Sequence, residues 1–321
     1  MVSDTLERYL QPQHVLRSVY ARMVPHLMFL DFVKVIREDA STFPYSYNAY
    51  SMSSDPKKET APVAMAGGRF PELDYTRESI GSAATEEHGF QMRLKHDMMK
   101  HRGSKAAQEV INATERAGFW MAETLNSAIL TAMTGGATTP TWTPTATWDD
   151  GSGTATPIED LEKFDEAFEQ AGYPYRFTDG FLHSTNWHEL KRFVLNYDNR
   201  YLVGGVPSIT KDTIEIPSVD VLMHKVDKGL TAYSEGYLLG LDRNNLVTEF
   251  HYYTDPLFAP ASVSYQTVDE SGKTVTKTVN NLGIHFRRID QKELDDIVLQ
   301  FYYDAKVLVT NAYGLNYDSG I

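Results

Sequence analysis

Cysteine is absent from all 321 residues. Disulfide staples, thiolate metal sites and cysteine nucleophiles are thereby excluded. Long apolar runs are missing too. The longest are short and broken by charge, so no stretch reads as a membrane-spanning helix. Positive charge is in deficit, with 43 Asp and Glu against 30 Lys and Arg for a formal net charge of −13. That balance argues against wrapping nucleic acid through the average surface, although a local basic patch is still allowed. The opening Val2-Ser3-Asp4-Thr5-Leu6-Glu7 lacks the basic-then-apolar pattern of a secretory signal. No internal repeat recurs at a fixed period.

The motifs of common chemistries are also missing. There is no GxxxxGK[ST] phosphate loop, no GxGxxG after a strand and no GxSxG elbow. His188-Glu189 opens a zinc-like HExxH pattern that fails because position 192 is arginine. His96 and His101 are spaced wrongly for one helical face. Glu86-Glu87-His88 places two acids side by side, but neighbours on a strand point to opposite faces and cannot share a proton. The pairs Asp149-Asp150 and Asp295-Asp296 read as solvated charge sooner than as calcium loops. The expectation is a protein without catalytic residues, cofactor or metal.

What is present begins with residues 104–134, SKAAQEVINATERAGFWMAETLNSAILTAMT. Small or apolar residues recur at Ala107, Val110 or Ile111, Thr114, Ala117, Met121, Leu125, Ala128 and Ala132, one face of a 3.6-residue period. Ser104 is a cap candidate, and Gly135-Gly136 marks the end. At about 1.5 Å per residue this is roughly 45 Å of rod. Its small residues let a backbone or sheet approach closely.

Ahead of the rod, Val15, Leu16, Val19, Tyr20 and Met23 line one helical face, and residues 31–50 turn to extended structure. An arm laid over other parts of an assembly is one account of this region; an N-terminal subdomain is the other. Residues 51–72 are rich in Ser, Pro, Lys, Ala and Gly, and 73–95 alternate like a strand, suggesting a long hairpin excursion. A hairpin without its own core needs something to lie on, and its edge favours a neighbouring copy. Trp142 and Trp148 sit in a Thr/Pro/Gly-rich segment, either tucked beneath it or against a partner. Beyond them come a helix at 158–171 with a proline start, a strand at 179–183 and a helix from Asn186. Strands follow near 236–240 and 246–253, then a hairpin turning at Glu270-Ser271-Gly272, and further strands to 309.

This order resembles the major capsid protein of tailed double-stranded DNA viruses, with the Hong Kong 97-type fold. GGRFPELDYTRESIGSAATEEHGFQMRLKHDMM (67–99) looks like the extended E-loop returning into the peripheral domain, 104–134 like the spine helix, and DGFLHSTNWHELKRFVLN (179–196) like the axial strand and helix. EGYLLG (235–240) looks like the strand leaving that domain, and 281–315 like the closing strands. The resemblance implies an α+β chain divided into an N-terminal arm (1–55), an E-loop (56–95), a peripheral domain with the spine (96–156) and an axial domain (157–239). Peripheral return strands (240–295) and an axial closing segment (296–321) complete it. The acidic balance points, within that family, toward tailed viruses of archaea.

The resemblance further implies a structural, late-expressed virion protein that self-assembles through hexamers and pentamers in the host cytoplasm. The resulting icosahedral shell would hold DNA without sequence-specific binding, and no membrane is involved. A portal and decoration proteins are implied partners. The short arm lacks the long scaffolding segment of some members, implying a separate scaffolding protein. Covalent crosslinking is not carried over, because no lysine lies between 67 and 94 and Lys57 and Lys58 come too early. The inter-subunit contact candidates are Arg69, Glu72, Asp74, Arg77, Glu78, Trp142, Trp148, Arg287 and Arg288. An encapsulin-like compartment shell is the nearest alternative, followed by a soluble α/β enzyme or a tail component. A compact monomer would expose about 13,000 Å², and an extended protomer considerably more.

Overall fold

The computed structural model describes residues 11–48, 78–95, 104–138, 144, 146–148, 156–170, 175–196, 208–226, 230, 233–255, 262–268, 273–291 and 296–321. Among them, helix α1 (Pro12–Met23) starts on a proline, where the missing amide costs nothing. Its buried face is Val15, Leu16, Val19, Tyr20 and Met23, as the periodicity predicts. Strand β1 (Lys34–Glu38) follows, then β2 (Thr42–Asn48), β3 (Glu78–Ala84) and β4 (Glu86–Leu94).

The rod is a single helix, α2 (Ser104–Gly136), extending through the glycine pair. Val110, Thr114, Ala117, Met121 and Leu125 are buried in the expected stripe. Past Leu125 the stripe departs from expectation. Ile129, Leu130 and Met133 are buried, whereas Ala128 and Ala132 are half-buried and line a groove. The larger side chains take the core there and the alanines leave space. Helix α1 lies directly on α2. A Cβ on Gly118 would meet Val19 O and Arg22 Cβ, each at 2.8 Å, so only glycine permits this approach. Asn126, mid-rod and buried, accepts from the amides of Met28 and Phe29 at 3.0 and 3.3 Å and donates to His26 O at 2.7 Å.

Next come α3 (Pro157–Gln170), β5 (Asp179–His183), α4 (Ser184–Asn196), β6 (Ser208–Ile209), β7 (Thr213–Ile216), β8 (Val221–Val226) and β9 (Tyr237–Leu241). The chain then runs through β10 (Thr248–Tyr253), β11 (Ser262–Val268), β12 (Thr274–Asn280), β13 (Ile284–Gln291), β14 (Asp296–Val309) and β15 (Leu315–Ser319).

Two large sheets, each over its own core, hold eleven of these strands, and β2-β3 and β11-β12 form separate two-stranded ladders. The first packs on α1 and α2 and is built around β14, which pairs antiparallel with β13, β10 and β4, while β1 adds parallel to β10. Ile297, Leu299, Phe301 and Tyr303 alternate into that core. The second sheet has the order β15-β9-β5-β8-β7-β6. Its core joins Leu161, Phe164 and Phe168 of α3 to Trp187 and Leu190 of α4, and to Phe177 and Met223. Each fully buried side chain of this size contributes about 1.5–3 kcal/mol.

Three placements refine the sequence reading. Residues 296–309 form one long strand in the spine's sheet, and of the supposed axial closing segment only β15 joins the other sheet. Alternation alone does not say which sheet a strand enters. Strand β4, assigned to the loop, is a full member of the spine's sheet, paired from Leu94↔Ile297 to Glu86↔Ala305. The supposed arm is divided: α1 packs into the spine's core and β1 is an edge strand of the spine's sheet, while β2 pairs with β3 from Thr42↔Ala84 to Asn48↔Glu78.

Candidate inter-subunit surfaces

The β2–β3 ladder is a two-stranded stalk that leaves the main sheet at Ser41 and Thr85, where Thr85 N donates to Ser41 O at 2.8 Å. Neither strand pairs with any third strand among the described residues. A two-stranded ribbon of this kind is marginal alone in water. One local device supports it. The Tyr45 ring lies over its cross-strand partner Gly81, where an added Cβ would sit 2.6 Å from the ring. At the foot, Phe43 stacks on buried His251 at 4.4 Å. The ring nitrogens of His251 lie 2.7 Å from Glu38 and 3.1 Å from Glu249. The root of the stalk is thus fixed by β1 and β10, while beyond Phe43 none of its described side chains is buried.

Beside this root two recesses open on opposite faces of the β4/β14 ladder. One, of about 620 Å³, lies between α2 and the sheet, with Trp120, Ala128 and Ala132 facing Phe250 and Ala305. Glu86 and His88 stand at its rim. Lys306 Nζ donates to Glu86 Oε1 at 2.5 Å, and this bond holds the Glu86 carboxyl below the usual carboxylate range. Burial, with Glu86 nearby, pushes the Tyr303 hydroxyl up to about 12.

The other recess, of about 550 Å³, is polar and lies on the face away from α2. Glu87 turns into it, opposite to Glu86, as strand alternation requires. Asp255, His285, Arg287, Tyr302 and Asp304 also line it. His285 and Asp304 are buried, at 2% and 7% exposure. Sequence reading missed this cluster. Its signal was Asp304, a lone acid within the otherwise apolar FYYDAKVLV.

The expected contact residues fall into three groups. Arg69, Glu72, Asp74, Arg77 and Trp142 lie outside the described residues. Glu78 opens β3, paired with Asn48 at the far end of the stalk. Trp148 takes the first of its two expected placements: it is 6% exposed, packs in the second core and donates from Nε1 to Asp160 Oδ2 at 3.1 Å. The indole is consumed within its own subunit because α3 offers both an apolar bed and a buried acceptor. Arg287 and Arg288 point to opposite faces of β13. Arg288 Nε donates to Asp290 Oδ1 at 2.8 Å within its own strand, while Arg287 borders the polar recess.

Among the described residues, no group of three His, Asp or Glu side chains is placed to hold a metal ion, and no helix is long and apolar enough to cross a membrane.

No protein-family model matches this sequence, and no curated protein matches it. Solved structures do. A virus-like particle from Pyrococcus furiosus superposes with a TM-score of 0.52 at 10% identity, covering 98% of this chain and 97% of the other. The holo-SrpI encapsulin complex from Synechococcus elongatus gives 0.56 at 9% identity, over 93% and 88%. The mature capsid of bacteriophage PhiM1 gives 0.50 at 9%, over 91% and 86%. The chain has the Hong Kong 97-type capsid fold, in its α+β form, over nearly its whole length.

Proposed function

We propose that this chain is the major capsid protein of a tailed double-stranded DNA virus, a shell tile that self-assembles through hexamers and pentamers. The observation that carries the reading is the fold, matched over 98% of this chain by a virus-like particle and over 91% by a mature phage capsid. Its stalk agrees: a two-stranded ribbon that pairs with no third strand among the described residues is consistent with contacts made between copies.

The assembled shell is the site of action, in the virion and built in the host cytoplasm, with a separate scaffolding protein, a portal, decoration proteins and DNA held without sequence reading. The net charge of −13 supports non-specific containment over tight DNA wrapping. It also supports an archaeal tailed virus as the source. Residues Arg69, Glu72, Asp74, Arg77 and Glu78, with Trp142, Arg287 and Arg288, are proposed to border neighbouring copies, where single charge pairs are worth little. The function is structural and needs no catalytic group.

A second reading has its own support: the encapsulin complex superposes with the highest score of the three. It makes the same shell around protein cargo instead of a genome. Co-expression with the scaffolding and terminase genes of the same locus, followed by negative-stain microscopy, tests both. Closed icosahedral particles are expected, and a cargo enzyme found inside them would select the encapsulin reading. Monodisperse single subunits under every assembly condition would end both.

A further inference from the structure

The stalk leaves the spine's sheet beside a histidine whose two nitrogens both face carboxylates. His251, on β10, is 3% exposed. Its Nδ1 lies 2.7 Å from Glu38 Oε1 and its Nε2 3.1 Å from Glu249 Oε2. An ionised carboxylate only accepts, so both bonds form together only when each ring nitrogen carries a hydrogen. A neutral imidazole has one hydrogen and one bare lone pair, and would turn that lone pair on one of the glutamates. The geometry is that of the charged ring, buried between two opposite charges as such a group must be.

The trio sits where the chain departs from the sheet. Glu38 is the last residue of β1, and after Asp39, Ala40 and Ser41 the chain enters β2 at Thr42. Phe43 is 2% exposed, and its ring lies over His251 with 4.4 Å between centroids and 16° between planes. A cation against an aromatic face is attracted to it, and a neutral ring much less. One imidazole thus holds the end of β1 by one nitrogen, Glu249 of its own strand by the other, and β2 by its face. Around the trio, Lys34 of β1 reaches Glu249 at 3.9 Å from an exposed position. Lys306 of β14, the cross-strand partner of His251, gives its ammonium to Glu86, which His88 also approaches at 3.5 Å.

We propose that His251, Glu38 and Glu249 form a proton-held latch that sets the direction of the stalk. With both ring hydrogens in place, the root is pinned on three sides. Loss of one hydrogen to solvent leaves two carboxylates against a ring that can serve one. One bond opens, the hold on Phe43 weakens, and the ribbon is released to swing about Ser41 and Thr85. The latch belongs to the single subunit. Only its consequence, that the stalk's reach toward a neighbouring copy follows the proton, rests on the shell reading.

The unassembled full chain provides the test, through two magnetic-resonance readouts. Nitrogen-15 shifts of the His251 ring report how many hydrogens it carries. Amide exchange at Thr85, whose N–H donates to Ser41 O at the foot of the ribbon, reports the hold on the stalk as a protection factor. Leu299, in the core of the spine's sheet, is the internal control. The titration runs from about pH 5 to about pH 8, where an ordinary histidine discharges. Both ring nitrogens should carry hydrogen at the acid end. Thr85 protection should fall about tenfold as one hydrogen is lost, with Leu299 unchanged. Glu249→Gln supplies an amide that donates to the bare Nε2, so Thr85 should stay protected throughout. His251→Phe keeps the stack on Phe43 and removes both bonds, so protection should be low and flat. A ring with one hydrogen throughout, or two throughout, would overturn the latch. So would a Glu249→Gln chain that loses protection as the wild type does, which would assign the change to another group such as His88. That variant decides even where His251→Phe does not fold. Neither readout needs particles, so a failure to assemble counts against the shell reading alone.

Discussion

The hydroxyl of Tyr20 donates to Asn281 Oδ1 at 2.7 Å and accepts the amide of Leu282 at 2.7 Å, fastening α1 to the strand that opens the far edge of the spine's sheet. Asn281 in turn accepts from Ile284 N and donates to Ile284 O. Tyr20 is fully buried, and burial pushes its hydroxyl pKa up, so it serves as a neutral donor at every working pH. Tyr20→Phe keeps the ring and removes a hydroxyl that serves two buried partners. A loss of about 1–3 kcal/mol is expected in chemical denaturation of the unassembled chain. A loss near zero would mean that water replaces the hydroxyl.

The contact of α1 with α2 tolerates no added volume. Ala117 is fully buried, and Gly118 has backbone of α1 within 2.8 Å of where a Cβ would stand. Ala117→Leu should cost about 1–3 kcal/mol through overpacking. Gly118→Leu should cost more, because Val19 O belongs to backbone and cannot rotate away. Exposed Phe119, next in sequence, provides the control. Phe119→Ser should move the melting temperature least of the three, and a reversed order would mean that the buried face is misassigned.

These positions also mark how far the sequence could be read. The rod, the face of α1 and the α3 stripe of Leu161, Phe164 and Phe168 were legible, because helical periodicity records burial locally. Sheet membership was not. Strand β14 alternates as any strand does, and its choice of partners depends on residues two hundred positions away. Asn126 was invisible for the same reason: a polar residue in a helix stripe looks like an interruption until the 26–29 turn arrives to use it. The polar recess needed the cross-strand register of His285, Tyr302 and Glu87, which no single segment contains.

Protonation should bear on two buried groups with opposite sign. Burial lowers the pKa of His285 from its ordinary 6.5. The unfolded chain therefore binds a proton first, and stability is lost as pH falls below about 6.5 toward the lowered folded value. His285→Gln should flatten that acid limb of a melting-temperature profile. Burial raises the pKa of Asp318, whose Oδ2 has no partner. Its carboxyl lowers stability as pH rises from about 3.8 through the folded value. Asp318→Asn keeps an acceptor for Ser319 N and should stabilise the chain at neutral pH by about 1 kcal/mol, with the gain vanishing in acid. A gain unchanged by pH would show that charge is not its cause.

The stalk separates folding from assembly most sharply, and its register specifies the cut. Asn48 and Glu78 are cross-strand partners, so replacing residues 49–77 by a two-residue Asn-Gly turn closes β2 on β3 without disturbing either strand. The core positions stay intact: β4 keeps its ladder with β14, and Phe90 keeps its contacts with Trp120 and Phe301, at 4.6 and 5.4 Å. Such a chain should retain the circular dichroism spectrum and melt of the wild type yet form no closed particles. A deletion of 60–90 would also remove Glu86 through Phe90 from the spine's sheet and should unfold it. The pair of deletions therefore distinguishes two roles within one stretch. If the 49–77 replacement still yields shells of normal size, the loop beyond the stalk carries no assembly contact. If it unfolds as the 60–90 deletion does, the loop belongs to its own subunit's core, and the division between tile and edge fails at that point.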